Sequence, residues 1–199
     1  ANIRAGRNPN RRCPMSELAS PGQLRAAFLR WSLFLVPGVL LLGFFSGRMA
    51  NSGPGNPWFT DLVKPEIYPP PATFGIVWSI LYVMMGFALA MVVTARGAPG
   101  RGMAIFAFVF QLLLNLAWSP LFFGAHQISA ALALLGVLAV ALAGTIFLFH
   151  AVRPLAAYLL VPYLAWVLFA SVLNWQFLQL TPDADGASGG EAVTSVEFQ

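Results

Sequence analysis

The stretch from Ile128 to His150 reads "ISAALALLGVLAVALAGTIFLFH" and contains no Asp, Glu, Lys or Arg. A helix needs roughly 20 consecutive apolar residues to cross the hydrocarbon core of a bilayer, and this stretch is long enough. Its apolar residues run on without alternating with polar ones, which argues against a strand of a membrane barrel. The stretch therefore predicts a helix that spans a membrane.

The composition of the whole chain supports the same conclusion. Hydrophobic residues make up 58% of the chain and charged residues only 9%, with a mean hydropathy of +0.74. A soluble domain contains about 25% charged residues, so this chain cannot cover a water-facing surface, and we expect an integral membrane protein. The net charge of +4 does not indicate nucleic-acid binding, because the basic residues lie at the ends of apolar runs.

Five apolar segments of suitable length occur in the chain, at about 27–49, 72–95, 102–124, 127–150 and 154–180. They predict an all-α bundle of five transmembrane helices, within a domain at 26–180. The connections after the second, third and fourth segments are short, so neighbouring helices should be antiparallel. The first loop, a lid loop at 50–71, is rich in Pro, Gly and Asn. We expect residues 1–25 to form a disordered basic tail and 181–199 a disordered acidic tail.

The positions of the charges predict the orientation in the membrane. With the N-terminus inside, nine of the eleven basic residues lie on the inner side, and only Arg48 and Lys64 lie outside. Glu17 is then the only acidic residue on the inner side. Because the inner loops of membrane proteins carry an excess of Lys and Arg, this pattern predicts the N-terminus inside and the lid loop and C-terminus outside.

Few residues could bind a metal or catalyse a reaction. Cys13 is the only cysteine, which excludes an internal disulfide. His126 and His150 lie at opposite ends of one apolar segment, roughly 36 Å apart at about 1.5 Å per residue, so they cannot share a metal. No carboxylate lies deep in a predicted helix, which leaves the core without a paired general acid and base. The sequence predicts no metal site, no required cofactor and no ion-coupled pump.

Three of the predicted helices carry a stripe of aromatic and polar residues at helical spacing. The stripes are Trp78, Tyr82, Met85 and Leu89; Gln111, Asn115, Trp118 and Phe122; and Tyr163, Trp166, Ala170 and Asn174. The aromatic residues are consistent either with packing at membrane interfaces or with a pocket. Gln111 and Asn115 lie near mid-membrane, where unpaired polar groups are costly, so they should face the bundle. There they either bond neighbouring helices or line a pocket.

Prolines occur in two settings. Pro37, Pro120 and Pro162 lie inside predicted helices and should bend them, which either curves the bundle or widens one end of it. The prolines at 69–71 directly precede the second predicted helix. They should stiffen the lid loop, and proline also suits the first turn of a helix.

Three stretches of the chain together resemble the TspO/MBR family, also known as the tryptophan-rich sensory protein, translocator protein or peripheral benzodiazepine receptor family. The stretches are "NPWFTDLVKPEIYPPPATFGIVWSILYVMMGFAL" at 56–89, "QLLLNLAWSPLFF" at 111–123 and "LLVPYLAWVLFASVLNW" at 159–175. The resemblance covers about 31–180 and all five predicted helices in order. It implies a five-helix bundle, often dimeric, with a pocket between the helices beneath the lid loop.

The resemblance also implies a ligand and a site. Members of the family bind porphyrins, such as protoporphyrin IX or haem, and hydrophobic drug-like molecules. The residues expected at the site are Trp58 and Phe59 in the lid loop, and Trp78, Tyr82, Asn115, Trp118, Trp166 and Ala170 in the helices. Phe59 stands where many members have Tyr, and Trp118 where some have Phe. Lys64 or Arg48, near the lid loop, could pair with the propionates of a porphyrin.

Three functional hypotheses follow. The first is a membrane receptor or carrier that binds porphyrins, with a regulatory or transport role. The second is a light-dependent porphyrin-degrading enzyme that uses Trp78 and Trp166, and the third is a sterol-binding, lipid-binding or scaffold protein. The expected partners are a porphyrin or another hydrophobic small molecule, the lipid bilayer and a second copy of the chain, with no nucleic acid. The charge bias suits a bacterial inner membrane, with the mitochondrial outer membrane as the alternative.

Overall fold

The computed structural model describes residues 21–186, and all the regular structure in them is helical. The six α-helices are α1 Pro21–Met49, α2 Pro57–Asp61, α3 Pro71–Thr94, α4 Arg101–Ser119, α5 Ile128–Val152 and α6 Pro154–Leu180. Every helix except α2 is long and apolar enough to cross a membrane. The prediction of an all-α bundle with five candidate membrane spans is therefore confirmed.

The first helix begins earlier than predicted. Residues 21–25, which were assigned to a disordered tail, form the start of α1. Proline is favoured at the first helical position because its missing N–H would have no partner there, so Pro21 is a good start for a helix. The apolar pattern alone placed the start at 27 because Arg25 and Gln23 interrupt it. Residues 1–20 lie outside the described part of the chain.

The start of the acidic tail was also placed too early. Residues 182–184 form a 3₁₀ turn, and two hydrogen bonds fix the residues after it. The Gly186 amide donates to the His126 carbonyl at 2.8 Å, and the Ser129 amide donates to an Asp185 carboxylate oxygen at 3.1 Å. Because the Ser129 amide is one of the free donors at the start of α5, the carboxylate stabilises that helix end. The remaining tail, 187–199, lies outside the described residues.

Pro120 changes the end of the third span. That span was predicted to continue as one helix to 124, but α4 ends at Ser119 and a π-helical turn covers Pro120–Gly124. Proline has no N–H, so the carbonyl four residues earlier, that of Leu116, loses its helical donor. The Ser46 hydroxyl of α1 donates to this carbonyl at 2.6 Å and so replaces the missing bond. The π-helical turn at Pro120 is therefore tied to α1.

Glycines allow α1 and α3 to approach each other closely. A Cβ atom on Gly86 would lie 2.6 Å from the Cα of Val36, and one on Gly43 would lie 2.2 Å from the ring of Tyr82. Real Cβ atoms do not reach such distances, so only glycine permits this crossing. The close approach brings the Tyr82 ring against the backbone of α1.

The bundle has two different ends. At one end the lid loop, the turn at 125–127 and the segment 181–186 meet. The Asn56 side chain there donates to the Phe123 carbonyl at 3.0 Å. The opposite end carries the short connections after α3 and α5. The predicted separation of charges follows this geometry, since Arg96, Arg101 and Arg153 lie in or next to those short connections. The direction of the bundle across the membrane stays a prediction from the charges.

Candidate ligand-binding site

A cavity of about 580 Å³ lies between the helices at the end of the bundle that carries the lid loop. Small-molecule sites in proteins usually measure about 300–1,000 Å³. All five long helices contribute to the walls. The aromatic residues that line the cavity are Phe44, Phe59, Tyr68, Phe74, Trp78, Tyr82, Trp118, Phe122, Phe123, Trp166 and Phe177. The cavity is therefore large enough for a small molecule and rich in aromatic side chains.

Residues 50–70, which include α2, cover the cavity and are called the lid below. Asn56 starts α2, because its side-chain oxygen accepts a hydrogen bond from the Phe59 amide at 3.1 Å. Asparagine is among the best residues for this capping position, and Pro57 follows it at the first helical position. The same side chain, only 5% exposed, donates to the Phe123 carbonyl. Asn56 thus caps the N-terminus of the lid helix and joins that helix to the π-helical turn.

Phe59 and Trp58 lie side by side in the lid but face different ways. Phe59 lines the cavity, and its ring centre is 5.1 Å from that of Phe123 and 5.7 Å from that of Phe177. Trp58 was also predicted for the site, but it does not line the cavity. Its ring stacks on His126 with centres 4.4 Å apart. Consecutive residues of a helix point about 100° apart, and in α2 this turns the Trp58 ring toward His126 while Phe59 faces the cavity.

Lys64 closes the other end of the lid helix. Its ammonium group donates to the carbonyls of Phe59 and Leu62, the second at 2.9 Å, and lies 4.2 Å from the centre of the Phe59 ring. A cation at a helix C-terminus satisfies free carbonyls there. Burial lowers the pKa of Lys64, although Asp61 acts in the opposite direction. Lys64 is not among the residues that line the cavity.

The deep wall of the cavity combines stacked rings with one amide. Trp78 stacks on Tyr82 with ring centres 5.2 Å apart, and its edge meets the Tyr163 ring at 6.0 Å. The Tyr82 hydroxyl donates to the side-chain oxygen of Asn115 at 3.1 Å. Asn115 also lines the cavity. The two alternatives for this amide therefore both hold, because it bonds a neighbouring helix and borders the cavity.

Gln111, one turn away on α4, behaves differently. It is fully buried at 0% exposure and does not line the cavity. Neither its amide oxygen nor its nitrogen has a hydrogen-bond partner among residues 21–186. A buried amide without a partner costs free energy, so Gln111 should destabilise the bundle where Asn115 stabilises it.

The wall on α6 contains one large and one small predicted residue. Trp166 meets the edge of Phe74 at 5.8 Å, and Ala170 lies one turn further along the helix. The small side chain of Ala170 leaves free volume beside the tryptophan. On α4, Trp118 stacks on Phe122 with ring centres 5.1 Å apart. The predicted residues of α3, α4 and α6 therefore all border the same cavity.

Several lining residues were not predicted. Phe74 lies one turn before Trp78, and Phe177 lies seven residues after Ala170, so both extend stripes that were visible in the sequence. Tyr68 belongs to the lid and carries no periodic signal. Phe123 depends on the π-helical turn, which the apolar pattern does not reveal.

The wall of the cavity where α1 passes into the lid, called the mouth below, is polar. Arg48, Asn51 and Ser52 line it, and all three belong to the C-terminal end of α1 or the residues just after it. Of the described residues that line the cavity, Arg48 alone carries a charge. The site therefore has an aromatic interior and a cationic mouth.

The TspO/MBR family model matches residues 34–180 of this chain, which include nearly all of the bundle and the whole cavity. The chain belongs to the TspO/MBR family. The resemblance inferred from the sequence is thus confirmed. Family membership and the five apolar helices together establish an integral, multi-pass membrane protein.

Named relatives of this TspO/MBR protein occur in bacteria and animals. The "Tryptophan-rich protein TspO" of Chlorobaculum tepidum is 40% identical over 152 residues, which cover 76% of this chain and 96% of the relative. The human "Translocator protein" is 40% identical over 136 residues, 67% of this chain and 80% of the relative. The "Tryptophan-rich sensory protein" of Cereibacter sphaeroides is 35% identical over 123 residues, 62% of this chain and 76% of the relative.

Proposed function

We propose that this TspO/MBR protein is a membrane receptor or carrier that binds porphyrins and similar flat hydrophobic ligands in the cavity. The observation that carries the proposal is the aromatic lining of a cavity enclosed by membrane-spanning helices. Trp78, Trp118 and Trp166 come from three different helices and border one space. Flat aromatic molecules bind well to such walls because rings can stack or meet edge to face.

The location of the cavity and the names of relatives agree with a binding role. The cavity lies within a bundle of apolar helices, which suits a hydrophobic ligand. One relative is named a translocator protein and another a sensory protein. These names suit a protein that carries a ligand or reports its presence. We propose a regulatory or transport output on this basis.

Titration of the purified protein with protoporphyrin IX in the dark tests the proposal. We expect saturable binding with quenching of tryptophan fluorescence. Trp166→Ala should weaken binding by roughly tenfold or more, because truncating a central buried aromatic commonly costs more than about 1–2 kcal/mol. Trp175→Ala is the matched control, since Trp175 lies on the same helix, is 51% exposed on the bundle surface and does not line the cavity. Equal loss in both variants, or no binding by the unaltered protein, contradicts the proposal.

Illumination of the same complex tests the enzyme alternative. One contact favours that alternative, because the stack between Trp78 and Tyr82 places two oxidisable rings in contact at the cavity wall. If the protein degrades porphyrin, the porphyrin absorbance should fall faster with protein than in detergent alone, and Trp78→Phe should abolish the difference. Equal decay with and without protein leaves the receptor or carrier.

We also propose that the protein lies in a bacterial inner membrane with its N-terminus on the inner side. We propose further that the chain forms a homodimer. The clustering of arginines at the end opposite the lid supports this orientation. An impermeant maleimide tests it on intact cells, with Glu66→Cys introduced into the lid of a Cys13→Ser variant. Labelling before lysis is expected, and labelling only after lysis contradicts the orientation. Cross-linking in membranes tests the dimer.

A further inference from the structure

We propose that Arg48 is an anion-binding subsite at the mouth of the cavity, so that the protein selects flat hydrophobic ligands that carry a carboxylate. The inference rests on the proposed function, since it assumes that a flat ligand occupies the cavity. It adds the chemical group that the ligand must present and the end of the cavity at which that group lies.

The first support is the distribution of polarity around the cavity. Arg48 is the single charged residue among the described residues that line it, and its lining neighbours Asn51 and Ser52 are polar. The rings of Trp78, Trp166 and the other aromatics form the interior. Because the only charge among these described lining residues lies at the mouth, this arrangement favours an amphipathic ligand that places its apolar body inside and its charged edge at the mouth.

The second support is that the fold does not use the Arg48 guanidinium. Arginine near a helix C-terminus often bonds the last free carbonyls. Here backbone amides serve those carbonyls, because the amides of Ala50 and Ser52 donate to Ser46 and Gly47 at 3.1 and 2.9 Å. The guanidinium makes no hydrogen bond or ion pair with any residue in the range 21–186. Its five donors are therefore available to a ligand.

The third support is the contrast with Lys64, the other cation at this end. Sequence alone left Lys64 and Arg48 as equal candidates for pairing with an acidic ligand. The Lys64 ammonium donates to carbonyls at the end of α2 and does not line the cavity. Arg48 lines the cavity and has free donors. The geometry thus gives the two cations different roles. Lys64 stabilises the lid, and Arg48 is available to a ligand at the mouth.

The chemistry of arginine specifies the ligand group. The planar guanidinium presents two parallel N–H donors that match the two oxygens of a carboxylate. Arg48 is itself exposed, so the pair keeps contact with water and its contribution should be moderate. Arg48 should therefore decide between ligands of similar shape, while the aromatic walls supply most of the affinity.

A matched pair of ligands tests the inference directly. Protoporphyrin IX carries free carboxylates, and its dimethyl ester has the same ring without the charges. We define the preference as the Kd of the ester divided by the Kd of the free acid. Arg48→Gln should lower this preference roughly three- to tenfold relative to the unaltered protein, the range for a charge-assisted pair near solvent. Comparing preferences between proteins cancels the different partitioning of the two porphyrins into detergent.

Three controls separate charge recognition from a general loss of binding. Arg48→Lys keeps the positive charge but lacks the two parallel N–H donors of the guanidinium, so it should retain part of the preference. Lys64→Gln should weaken both porphyrins alike by loosening the lid and leave the preference unchanged. Added salt should lower the preference in the unaltered protein, because it screens the charge pair. This last measurement needs no variant, so a preference that salt does not lower overturns the subsite even if Arg48→Gln does not fold.

The outcomes distinguish the inference from the function on which it rests. If both porphyrins bind but the preference is the same in the unaltered protein and in Arg48→Gln, the anion subsite is overturned and the porphyrin-binding function stands. A preference that is insensitive to salt overturns it in the same way. If neither porphyrin binds to the unaltered protein, the proposed function fails and the inference fails with it.

Discussion

The two halves of the bundle are built from the same helices but packed in different ways. In the half away from the lid, Ala88, Ala104 and Ala156 are fully buried, and Phe108 stacks on Phe149 at 5.8 Å. Small side chains there let large ones interlock. In the half beneath the lid, large rings face one another across about 580 Å³ of free space.

The difference shows how a bundle can keep one half rigid and leave the other open. Interlocking of large and small side chains fills space to the density of a crystal. Around the cavity large rings contact one another but leave open space between the helices, and α4 ends early at Pro120. The packed half thus supplies stability, and the open half supplies the site.

The largest expected effect is a loss of stability caused by a substitution in the packed half. Gly86→Ala should destabilise the protein by about 2–3 kcal/mol, because the new Cβ would meet the backbone of Val36 and the helices cannot separate without losing contacts. Gly136→Ala is the control, since a Cβ there meets nothing within 4 Å. The control should be neutral or slightly stabilising because alanine favours helix. Thermal denaturation in detergent measures both, and equal behaviour of the two variants would refute the close crossing.

The next largest effect comes from a substitution that should open the lid and leave the packed half intact. Asn56→Ala removes the cap of α2 and the bond to Phe123, which together should cost about 1–2 kcal/mol. The loss should appear as faster hydrogen exchange in 57–61 and weaker ligand binding. Thr60→Ala serves as the control, because its hydroxyl bonds only the nearby Pro57 carbonyl. Unchanged exchange in Asn56→Ala would show that the cap does not hold the lid.

A smaller effect compares the two amides of α4. Gln111→Leu should stabilise the protein by about 1 kcal/mol or leave it unchanged, because it removes a buried amide that has no partner within residues 21–186. Asn115→Leu should destabilise it and weaken ligand binding, since it breaks the bond to Tyr82 at the cavity wall. Chemical or thermal denaturation gives both values. A destabilised Gln111→Leu would mean that this amide has a structural role.

The smallest effect concerns the pH dependence of the lid. Burial lowers the pKa of Lys64 below its ordinary value of 10.5. Between the lowered pKa and 10.5 the unfolded chain binds more protons than the folded chain, so this residue should make stability rise as pH rises through that window. Below the window both forms are protonated and its contribution is constant. The difference in Tm between the unaltered protein and Lys64→Met should grow slightly with pH there, and a falling difference would contradict the direction.

The sequence predicts the spans well because a bilayer imposes one strong requirement, a long apolar run. It predicts the lid helix poorly. Five residues are too few for a periodic pattern, and the bond that holds α2 against the bundle joins Asn56 to Phe123, which is distant in the chain. The start at Pro21 was missed for a similar reason, because that turn is polar.

The residues of the candidate site were likewise predicted better within the long helices than in the irregular segments. Eight of the twelve residues in the stripes on α3, α4 and α6 border one cavity, since helical periodicity fixes which residues lie on one face. The stripes alone left packing and a pocket as alternatives, and the family resemblance named the expected site. Trp58 was assigned to the site with Phe59, yet its ring stacks on His126 and only Phe59 lines the cavity. Phe123 reaches the cavity through a turn that Pro120 causes. Side-chain direction in irregular segments depends on tertiary contacts, which periodicity does not contain.

We propose that the ligand occupies the space beside Ala170, which lines the cavity. Ala170→Trp fills this space from within, and Val172→Trp adds the same side chain to an exposed position on α6, outside the residues that line the cavity. Protoporphyrin IX binding to the two variants, measured beside their thermal stability, tests the claim most directly. Loss of binding in Ala170→Trp alone, with both variants folded, is the predicted result. Full binding by a folded Ala170→Trp would show that the ligand lies elsewhere.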